Sequence, residues 1–161
     1  MASRFAVGRR SFFLGSMALT TLLATGGPVF AAPEDEISAA MERWAATYAT
    51  ATTASAMVAF YAKDAVFWGT GSRQPFVGSD SFAPYFAAQI DSYPTRSKVV
   101  FHDPVIRIYG AGNFATSTGT YEFNVKTKAG QAVSQLLRFS FAYVKAGDQW
   151  LIVQQHSSQM P

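Results

Sequence analysis

The stretch LLRFSFAYVKAGDQWLIVQQHSSQMP, at residues 136–161, decides how this chain folds. Two apolar runs flank Gly147, a residue whose backbone freedom suits a tight hairpin turn. Side chains along a strand alternate between its two faces, so Phe139, Phe141 and Tyr143 share one face of the first run. The stretch therefore predicts a β-hairpin with one strongly apolar face.

Polar residues collect at the far end of the second predicted strand of this hairpin, where we expect a pocket. One face of that strand carries Trp150, Ile152, Gln154 and His156. The other face carries Leu151, Val153, Gln155 and Ser157. Alternation alone leaves open which face meets the pocket, so His156, Gln155 and Ser157 are all candidates to line it.

Residues 1–32 are predicted to be an export signal rather than part of the fold. Arg9 and Arg10 precede an apolar run, and Val29 and Ala31 supply the small side chains, at positions −3 and −1, that a signal peptidase accepts. The arginine pair followed by SFFL resembles the twin-arginine signature, which directs export of folded proteins. An ordinary secretory leader is the alternative, and a membrane anchor is disfavoured because glycines and threonines interrupt the run. We therefore expect a periplasmic or secreted domain at 33–161, with no membrane attachment once the signal is removed.

Charge and composition exclude several classes of function. The chain has 13 Lys plus Arg and 10 Asp plus Glu. Three of the basic residues lie in the leader, so the remainder is balanced in charge and has no basic cluster that would bind nucleic acid. Cysteine is absent, which excludes disulfides, thiolate nucleophiles and thiolate metal sites. About 130 residues remain, enough for one domain with a real core.

Helical and strand patterns occupy separate blocks of the chain. Apolar residues spaced three and four apart predict helices at 35–51, 54–62 and 79–93. A short strand is predicted at 65–68, and long strands are predicted at 98–109, 114–126, 133–143 and 150–158. Asp103-Pro104 interrupts the first long strand, where a bulge or an edge is expected. Helices followed by strands indicate an α+β domain with helices on one face of a curved antiparallel sheet.

Four segments carry a resemblance to a known family. FYAKDAVFW at 60–68 follows the second predicted helix, and QWLIV at 149–153 precedes a His-Ser ending. With the order of elements, they resemble the nuclear transport factor 2-like, or SnoaL-like, superfamily over residues 37–161. DPVIRIYG at 103–110 and QHSSQMP at 155–161 are most similar to bacterial relatives of the calcium/calmodulin-dependent protein kinase II association domain. The resemblance implies a cone-shaped curved sheet with three N-terminal helices on its concave face, in a superfold that hosts both enzymes and assembly domains.

Arg138 lies in the middle of a predicted strand. A guanidinium keeps its charge and needs an acceptor when it is buried. Two roles stay open, a structural ion pair with Glu122 or Asp64 and an anchor for an anionic ligand. The resemblance to the association domain implies the anchor, since an arginine at this place lines that domain's deep pocket. That domain's further pocket arginines are replaced here by Thr120 and Ser157, which weakens the case for a carboxylate-binding cluster.

His156 is the histidine nearest the predicted pocket, and an ordinary histidine pKa suits proton transfer. It is a candidate general acid or base, with a hydrogen bond that closes the last strand as the alternative role. A ketosteroid isomerase-like mechanism would also need a carboxylate base, for which Asp64, Asp103 and Glu122 are the mid-chain candidates. His102 lies far from His156 in sequence, and no ligand-spaced cluster occurs, so we expect no metal and no cofactor.

Aromatic residues supply the remaining candidates for the pocket wall. Trp44 and Tyr48 stand one turn apart on the first predicted helix, Tyr85 lies in the third predicted helix, and Trp68 and Tyr121 lie in predicted strands. Aromatic side chains are more often plain core, because they bury a large area. The full set of expected ligand-binding residues is Arg138, Tyr48, Trp44, Trp68, Tyr121, Gln155 and Ser157.

We therefore expect an exported domain that binds a small organic ligand, assembles with itself, or does both. The alternative is a SnoaL-like or ketosteroid isomerase-like enzyme, such as a cyclase or isomerase, that uses His156 with Arg138 or Tyr48. A homodimer or larger homo-oligomer is expected because three helices can cover only one face of the sheet. A bare face carrying Phe139, Phe141 or Tyr143 would exceed what monomers usually expose.

Overall fold

The computed structural model describes residues 32–161, so the predicted export signal, apart from Ala32, lies outside the described residues. The helices are α1 (Pro33–Thr50), α2 (Ala54–Val58) and α3 (Ser79–Ser92). The strands are β1 (Tyr61–Trp68), β2 (Phe76–Val77), β3 (Thr95–Arg96), β4 (Val100–Tyr109), β5 (Phe114–Lys126), β6 (Ala132–Ala146) and β7 (Gln149–Gln159). The predicted α+β class is confirmed.

The strands form one curled sheet in the order β2-β1-β7-β6-β5-β3, and β4 also pairs with β5. Strands β4 to β7 form an antiparallel meander, while β1 joins β7 in parallel. Gly147 has a φ of 60° in the β6–β7 turn, where its lack of a side chain permits this conformation. The C-terminal hairpin therefore lies in the middle of the sheet.

Helix α1 packs against the face of the sheet that carries Phe139, Phe141 and Tyr143, which we call the inner face. The Trp44 ring lies 5.6 Å from the Phe141 ring, centroid to centroid, in an edge-on arrangement. Phe139, Phe141 and Tyr143 are at most 2% exposed. The expectation that they form a bare face was wrong, because the helices cover this face. The opposite face of the sheet is the outer face.

Two local differences from the sequence prediction follow from strand pairing. Helix α2 ends at Val58, four residues earlier than predicted, and β1 begins at Tyr61. Tyr61 pairs with Ile152 of β7, and the Ile152 N–H donates to the Phe60 carbonyl at 2.9 Å. Pairing with the central strand thus overrides the helical spacing of this segment.

The interruption predicted in β4 is present as a bulge. The register of β4 against β5 shifts between His102 and Val105, and Asp103 has a φ of 44°. A strand that gains residues on one side at such a point bends and twists more strongly.

A second bulge, in β7, decides which residues face inward. Tyr143 pairs with Ile152 and Ala142 with Gln154, so Val153 is an extra residue without a partner. The extra residue reverses the alternation of side chains beyond it. Buried residues on β7 are therefore Trp150 and Ile152 before the bulge, and Gln155 and Ser157 after it. His156 is exposed.

Candidate ligand-binding cavity

A cavity of about 210 Å³ lies between the helices and the inner face of the sheet. Eight aromatic side chains line it: Trp44, Tyr48, Phe67, Tyr85, Phe86, Tyr93, Tyr121 and Phe123. Val125 and Leu137 add aliphatic surface. A wall of this kind favours a flat, largely apolar molecule.

The polar groups of the wall are amides and hydroxyls. They belong to Thr70, Gln89, Gln135, Gln155, Ser157 and Gln159, together with the tyrosine hydroxyls. Among the described residues, no Asp, Glu, His, Lys or Arg lines this cavity. A charged ligand would lose its water shell here without gaining an ionic partner, so the lining favours an uncharged one.

Two hydrogen-bonded groups connect the cavity wall to the core. In the first, Trp44 Nε1–H donates to the Tyr61 hydroxyl at 3.1 Å, and that hydroxyl donates to Gln155 Oε1. In the second, the Tyr121 hydroxyl donates to Ser157 Oγ at 2.6 Å. These contacts hold the polar side chains of β7 at fixed positions in the wall.

The second group ends at Thr70, whose hydroxyl shares a hydrogen bond with Ser157. Thr70 lies just beyond β1, next to Gly69. A Cβ at Gly69 would lie 2.6 Å from the Tyr85 ring, so any other residue at this position would displace that ring. Gly69 thereby lets Thr70 reach the cavity beside Tyr85.

The buried tyrosines keep their hydrogens at neutral pH. Burial raises the pKa of Tyr61 and of Tyr121. The hydrogen bond from Trp44 to Tyr61, and the one that Tyr121 shares with Ser157, oppose that rise only in part. Burial also raises the pKa of Tyr48. A phenol with a raised pKa stays a hydrogen-bond donor, so these hydroxyls are groups for orienting a ligand rather than bases.

Arg96 was not among the predicted site residues, and it connects the C-terminal ends of α1 and α3 beside the cavity. Its guanidinium donates to the backbone carbonyls of Tyr48 at 2.8 Å and Tyr93 at 2.6 Å, and to those of Ala51 and Ile90. The carbonyls at a helix C-terminus have no partner within the helix, and a cation there is favourable. One side chain thus binds the ends of α1 and α3, and so holds Tyr48 of α1, and Tyr93 directly after α3, in the cavity wall.

Comparison with family models gives a match to the SnoaL-like domain over residues 37–161. The chain belongs to the SnoaL-like domain family. The superfamily resemblance expected from the sequence is confirmed. The residues that line the cavity all lie within the matched range. No curated protein matches the chain.

Solved structures agree with this assignment. A calcium/calmodulin-dependent protein kinase II association-domain-like protein from Xanthomonas campestris is 27% identical, with a TM-score of 0.73 over 83% of this chain and 91% of that one. A dehydratase-like protein of the nuclear transport factor 2-like family from Streptomyces avermitilis is 12% identical, with a TM-score of 0.70 over 80% and 96%. A ketosteroid isomerase-like protein from Erwinia carotovora atroseptica is 20% identical, with a TM-score of 0.62 over 82% and 99%. The last two likenesses concern the fold alone.

The structure brings five of the predicted ligand-binding residues of this SnoaL-like domain together. Trp44, Tyr48, Tyr121, Gln155 and Ser157 all line the cavity. They come from α1, β5 and β7, three elements that meet only in the folded chain. Whether they bind a ligand stays a prediction.

The other three candidates, Trp68, Arg138 and His156, lie on the outer face. Trp68 is 41% exposed, and its ring lies 6.3 Å from that of His156. Arg138 is exposed and donates to the Gln159 carbonyl at 2.8 Å. It therefore neither lines the inner cavity nor forms a buried ion pair. The reason is geometric: Arg138 alternates with the buried Phe139, and the bulge in β7 turns His156 outward.

Glu122, one of the two carboxylates considered as a partner of Arg138, has other contacts. Glu122 accepts hydrogen bonds from Asn124 Nδ2 at 2.9 Å and Ser134 Oγ at 3.0 Å. His102 Nε2 lies 3.4 Å from its other oxygen. Within residues 32–161, no group of three or more histidine or acidic side chains is arranged to hold a metal. No described helix is long and apolar enough to span a membrane.

Thr70 and the glutamines Gln89, Gln135 and Gln159 were not predicted to line the cavity, and Tyr85 was considered but left out of the expected ligand-binding residues. Thr70 lies in a turn, where polar residues are the rule and carry no signal of their own. Tyr85 follows the helical spacing of Phe82 and Phe86, so its pattern reads as core. The alternation of Gln155 and Gln159 on β7 was the one available signal, and the bulge was needed to interpret it.

Proposed function

We propose that this SnoaL-like domain binds a small, uncharged organic molecule in the cavity between its helices and the inner face of its sheet. The observation that carries the proposal is the composition of the wall, which combines many aromatic rings with amides and hydroxyls and has no charged side chain among the described residues. Burial of a flat apolar ligand supplies the affinity, and the polar groups orient it.

The size of the cavity restricts the ligand. Pockets for drug-sized molecules are roughly 300–1,000 Å³, and an apolar cavity of roughly 150 Å³ accepts benzene. A cavity of about 210 Å³ therefore suits a molecule of one or two rings.

The geometry gives less support to the enzymatic alternative with His156 and Arg138. Both side chains project from the outer face, and the inner wall offers no imidazole or carboxylate within the described chain to act as a base. The tyrosines of the wall, with their raised pKa, orient an oxygen atom but do not accept its proton at neutral pH.

Filling the cavity tests the proposal. Leu137→Trp adds a ring inside the cavity, and we expect it to weaken binding of 1-indanone or indole by tenfold or more, measured by calorimetry or by the ligand-induced rise in melting temperature. Leu136→Trp is the matched control, because the neighbouring Leu136 is 46% exposed on the outer face. If neither compound binds the unmodified protein, or if both variants bind equally well, the cavity is not the binding site. Native mass spectrometry of freshly purified protein would show any ligand carried from the cell.

We propose, in addition, that the domain is exported to the periplasm or beyond by the twin-arginine route. The support is the pair Arg9-Arg10 and the small residues before residue 32. Replacing both arginines by lysine should leave the protein in the cytoplasm, as measured by cell fractionation. Undiminished export of that variant would favour an ordinary secretory leader.

Self-assembly is proposed through the outer face, with a second copy of this chain as the partner. Large apolar side chains exposed there include Val100, Val105 and Leu136, each between 46% and 47% exposed. Pairing of two such patches about a twofold axis would cover them. Sedimentation at micromolar concentration should show a dimer that Val105→Lys dissociates, and a monomer at that concentration would contradict the proposal.

A further inference from the structure

The hydrogen bonds beneath the cavity run in one direction, and Trp44 sets that direction. An indole N–H can only donate, so the oxygen of Tyr61 accepts from it at 3.1 Å. The hydroxyl hydrogen of Tyr61 must then go to Gln155, because a buried hydroxyl without an acceptor is costly. Gln155 accepts through Oε1, which fixes the orientation of its amide with the NH₂ group away from Tyr61.

The same direction continues along the wall of the cavity. The NH₂ group of Gln155 can only donate, and the Gln155 side chain lies beside Tyr121 in the cavity wall, where it lowers the pKa of that phenol slightly against the rise caused by burial. Tyr121 in turn donates to Ser157 Oγ at 2.6 Å. An amide NH₂ group beside the Tyr121 oxygen favours Tyr121 as the donor toward Ser157, so the Gln155 orientation set at Trp44 favours this direction at the cavity surface.

The last link leaves one hydrogen without a protein partner. Ser157 and Thr70 share a single hydrogen bond, in which either hydroxyl can be the donor. Because Ser157 already accepts from Tyr121, the pair holds two hydroxyl hydrogens and uses one of them. Whichever hydroxyl donates, the other presents its hydrogen to the cavity that both residues line.

We infer that the cavity selects ligands that place a hydrogen-bond acceptor, such as a ketone or quinone oxygen, against the Thr70–Ser157 pair, and discriminates against ligands that offer only a donor. The inference rests on the proposed function, since it names the class of ligand that the cavity takes. A ligand with an acceptor atom forms a hydrogen bond with the free hydroxyl hydrogen of the Thr70–Ser157 pair. A ligand that offers only a donor would leave that hydrogen buried without a partner.

Three bicyclic compounds of similar size test the selection in the unmodified protein. The oxygen of 1-indanone accepts, the N–H of indole donates, and indene has no polar group. We expect 1-indanone to bind about tenfold more tightly than indole, the equivalent of about one net hydrogen bond, with indene between them. Titration calorimetry gives all three dissociation constants.

Tyr61→Phe tests the origin of the selection from outside the cavity, because Tyr61 is not part of the wall. Without the Tyr61 hydroxyl, the Gln155 amide is free to rotate and turn its oxygen toward Tyr121, and the hydrogen bonds can reverse. The preference for 1-indanone over indole should then fall from about tenfold to about twofold or less. Tyr143→Phe is the matched control, since Tyr143 is buried, lies outside the cavity wall, and contacts only Ser117 through its hydroxyl, at 3.5 Å. The Tyr143→Phe variant should keep the preference for 1-indanone over indole that the unmodified protein shows.

The possible outcomes separate the two proposals. If none of the three compounds binds, the proposed function fails and this inference fails with it. If all three bind equally, or indole binds best, the cavity binds ligands without the selection inferred here. An unchanged preference in a folded Tyr61→Phe variant overturns the directed chain as its cause. The comparison in the unmodified protein requires no variant, so it decides the selection even if Tyr61→Phe does not fold.

Discussion

Trp44 and Trp68 show how differently the two faces of the sheet use the same side chain. On the inner face, Trp44 is 2% exposed, packs against Phe141 and donates to the Tyr61 hydroxyl. On the outer face, Trp68 is 41% exposed and donates to the Ser72 carbonyl at 3.0 Å. The inner tryptophan connects a helix, the core and the cavity, whereas the outer one contacts its own neighbouring turn.

Two arginines repeat this contrast. Arg96 donates to four backbone carbonyls at the ends of α1 and α3, while Arg138 donates to one, that of Gln159. The residue type therefore does not distinguish a structural or binding role from a surface one in this domain. The face of the sheet on which a residue lies distinguishes the two roles. On β7, the face depends on the extra residue Val153.

The largest expected effect comes from reversing which side chains of β7 point to the inner face. One alanine inserted between Val153 and Gln154 should turn Gln155 and Ser157 outward and His156 inward, by the alternation of strand side chains. Tyr61 and Tyr121 would lose their acceptors, and an imidazole would enter the wall. We expect a loss of more than about 4 kcal/mol in the free energy of unfolding, measured with urea.

The same alanine inserted beside Gly147 is the control, because lengthening a surface turn changes the loop-closure entropy little. It should cost well under about 1 kcal/mol. If the insertion in β7 were tolerated equally well, a wider bulge would have accommodated the extra residue. The number of residues in β7 would then not decide which of its side chains face inward.

Truncation of the two tryptophans gives the next largest difference. Trp44→Ala removes a fully buried ring and leaves the Tyr61 hydroxyl without its donor, so it should cost about 3–5 kcal/mol. Trp68→Ala should cost less than about 1 kcal/mol, as is usual for an exposed residue with one local hydrogen bond. Urea unfolding of both variants checks the comparison, and similar losses would show that Trp68 is covered in solution, for example by a second copy of the chain.

Much of the fold could be predicted from the sequence because its local signals agree with the tertiary structure. The spacing of Ile37, Met41 and Trp44 identifies the buried stripe of α1, and Gly147 identifies the turn between β6 and β7. Helix α2 was predicted too long because nothing local to Tyr61 indicates that it pairs with Ile152, which lies far along the chain. Pairing between distant segments is what local patterns do not contain.

The site could be predicted only in part, for a related reason. Trp44 and Tyr48 follow from the helical stripe, whereas strand alternation left Gln155, Ser157 and His156 all as candidates. The bulge at Val153 decides between the two faces of β7, and it depends on pairing with β6 rather than on any residue preference. The role of Arg96 depends on where two helices end, and that position is set by tertiary packing.

A smaller difference is expected between the two arginines. Arg96→Leu leaves carbonyls at two helix ends without their donor, and we expect a loss of about 2–3 kcal/mol in the free energy of unfolding. Arg138→Leu should change it by no more than about 0.5 kcal/mol, because Arg138 is exposed. Binding of 1-indanone should weaken in Arg96→Leu, whose cavity wall loses its support, and stay unchanged in Arg138→Leu. A large effect of Arg138→Leu on binding would show that ligands contact the outer face.

The smallest expected effect is that of pH. It should change the stability of the protein but not its affinity for a ligand in the cavity. Hydrogen bonds from Lys145 and then Trp150, both 2.7 Å long, lower the pKa of Glu36. Hydrogen bonds from Asn124 and then Ser134 lower the pKa of Glu122.

A carboxyl group whose pKa is lower in the folded state binds protons more readily when unfolded, so its contribution is complete above its unfolded pKa of about 4.3 and is lost as the pH falls through the folded value. Stability should therefore fall as the pH drops below about 5, and Glu36→Gln should make that fall shallower, as measured by urea unfolding between pH 3 and 7 at roughly one-unit steps. Because no carboxylate or imidazole lines the cavity in the described chain, the affinity for 1-indanone should stay constant from about pH 5 to 8, where the protein is folded. An affinity that changed with a midpoint near the pKa of a histidine or a carboxylate would place a titrating group against the ligand, and so bring the outer-face candidates back into the site.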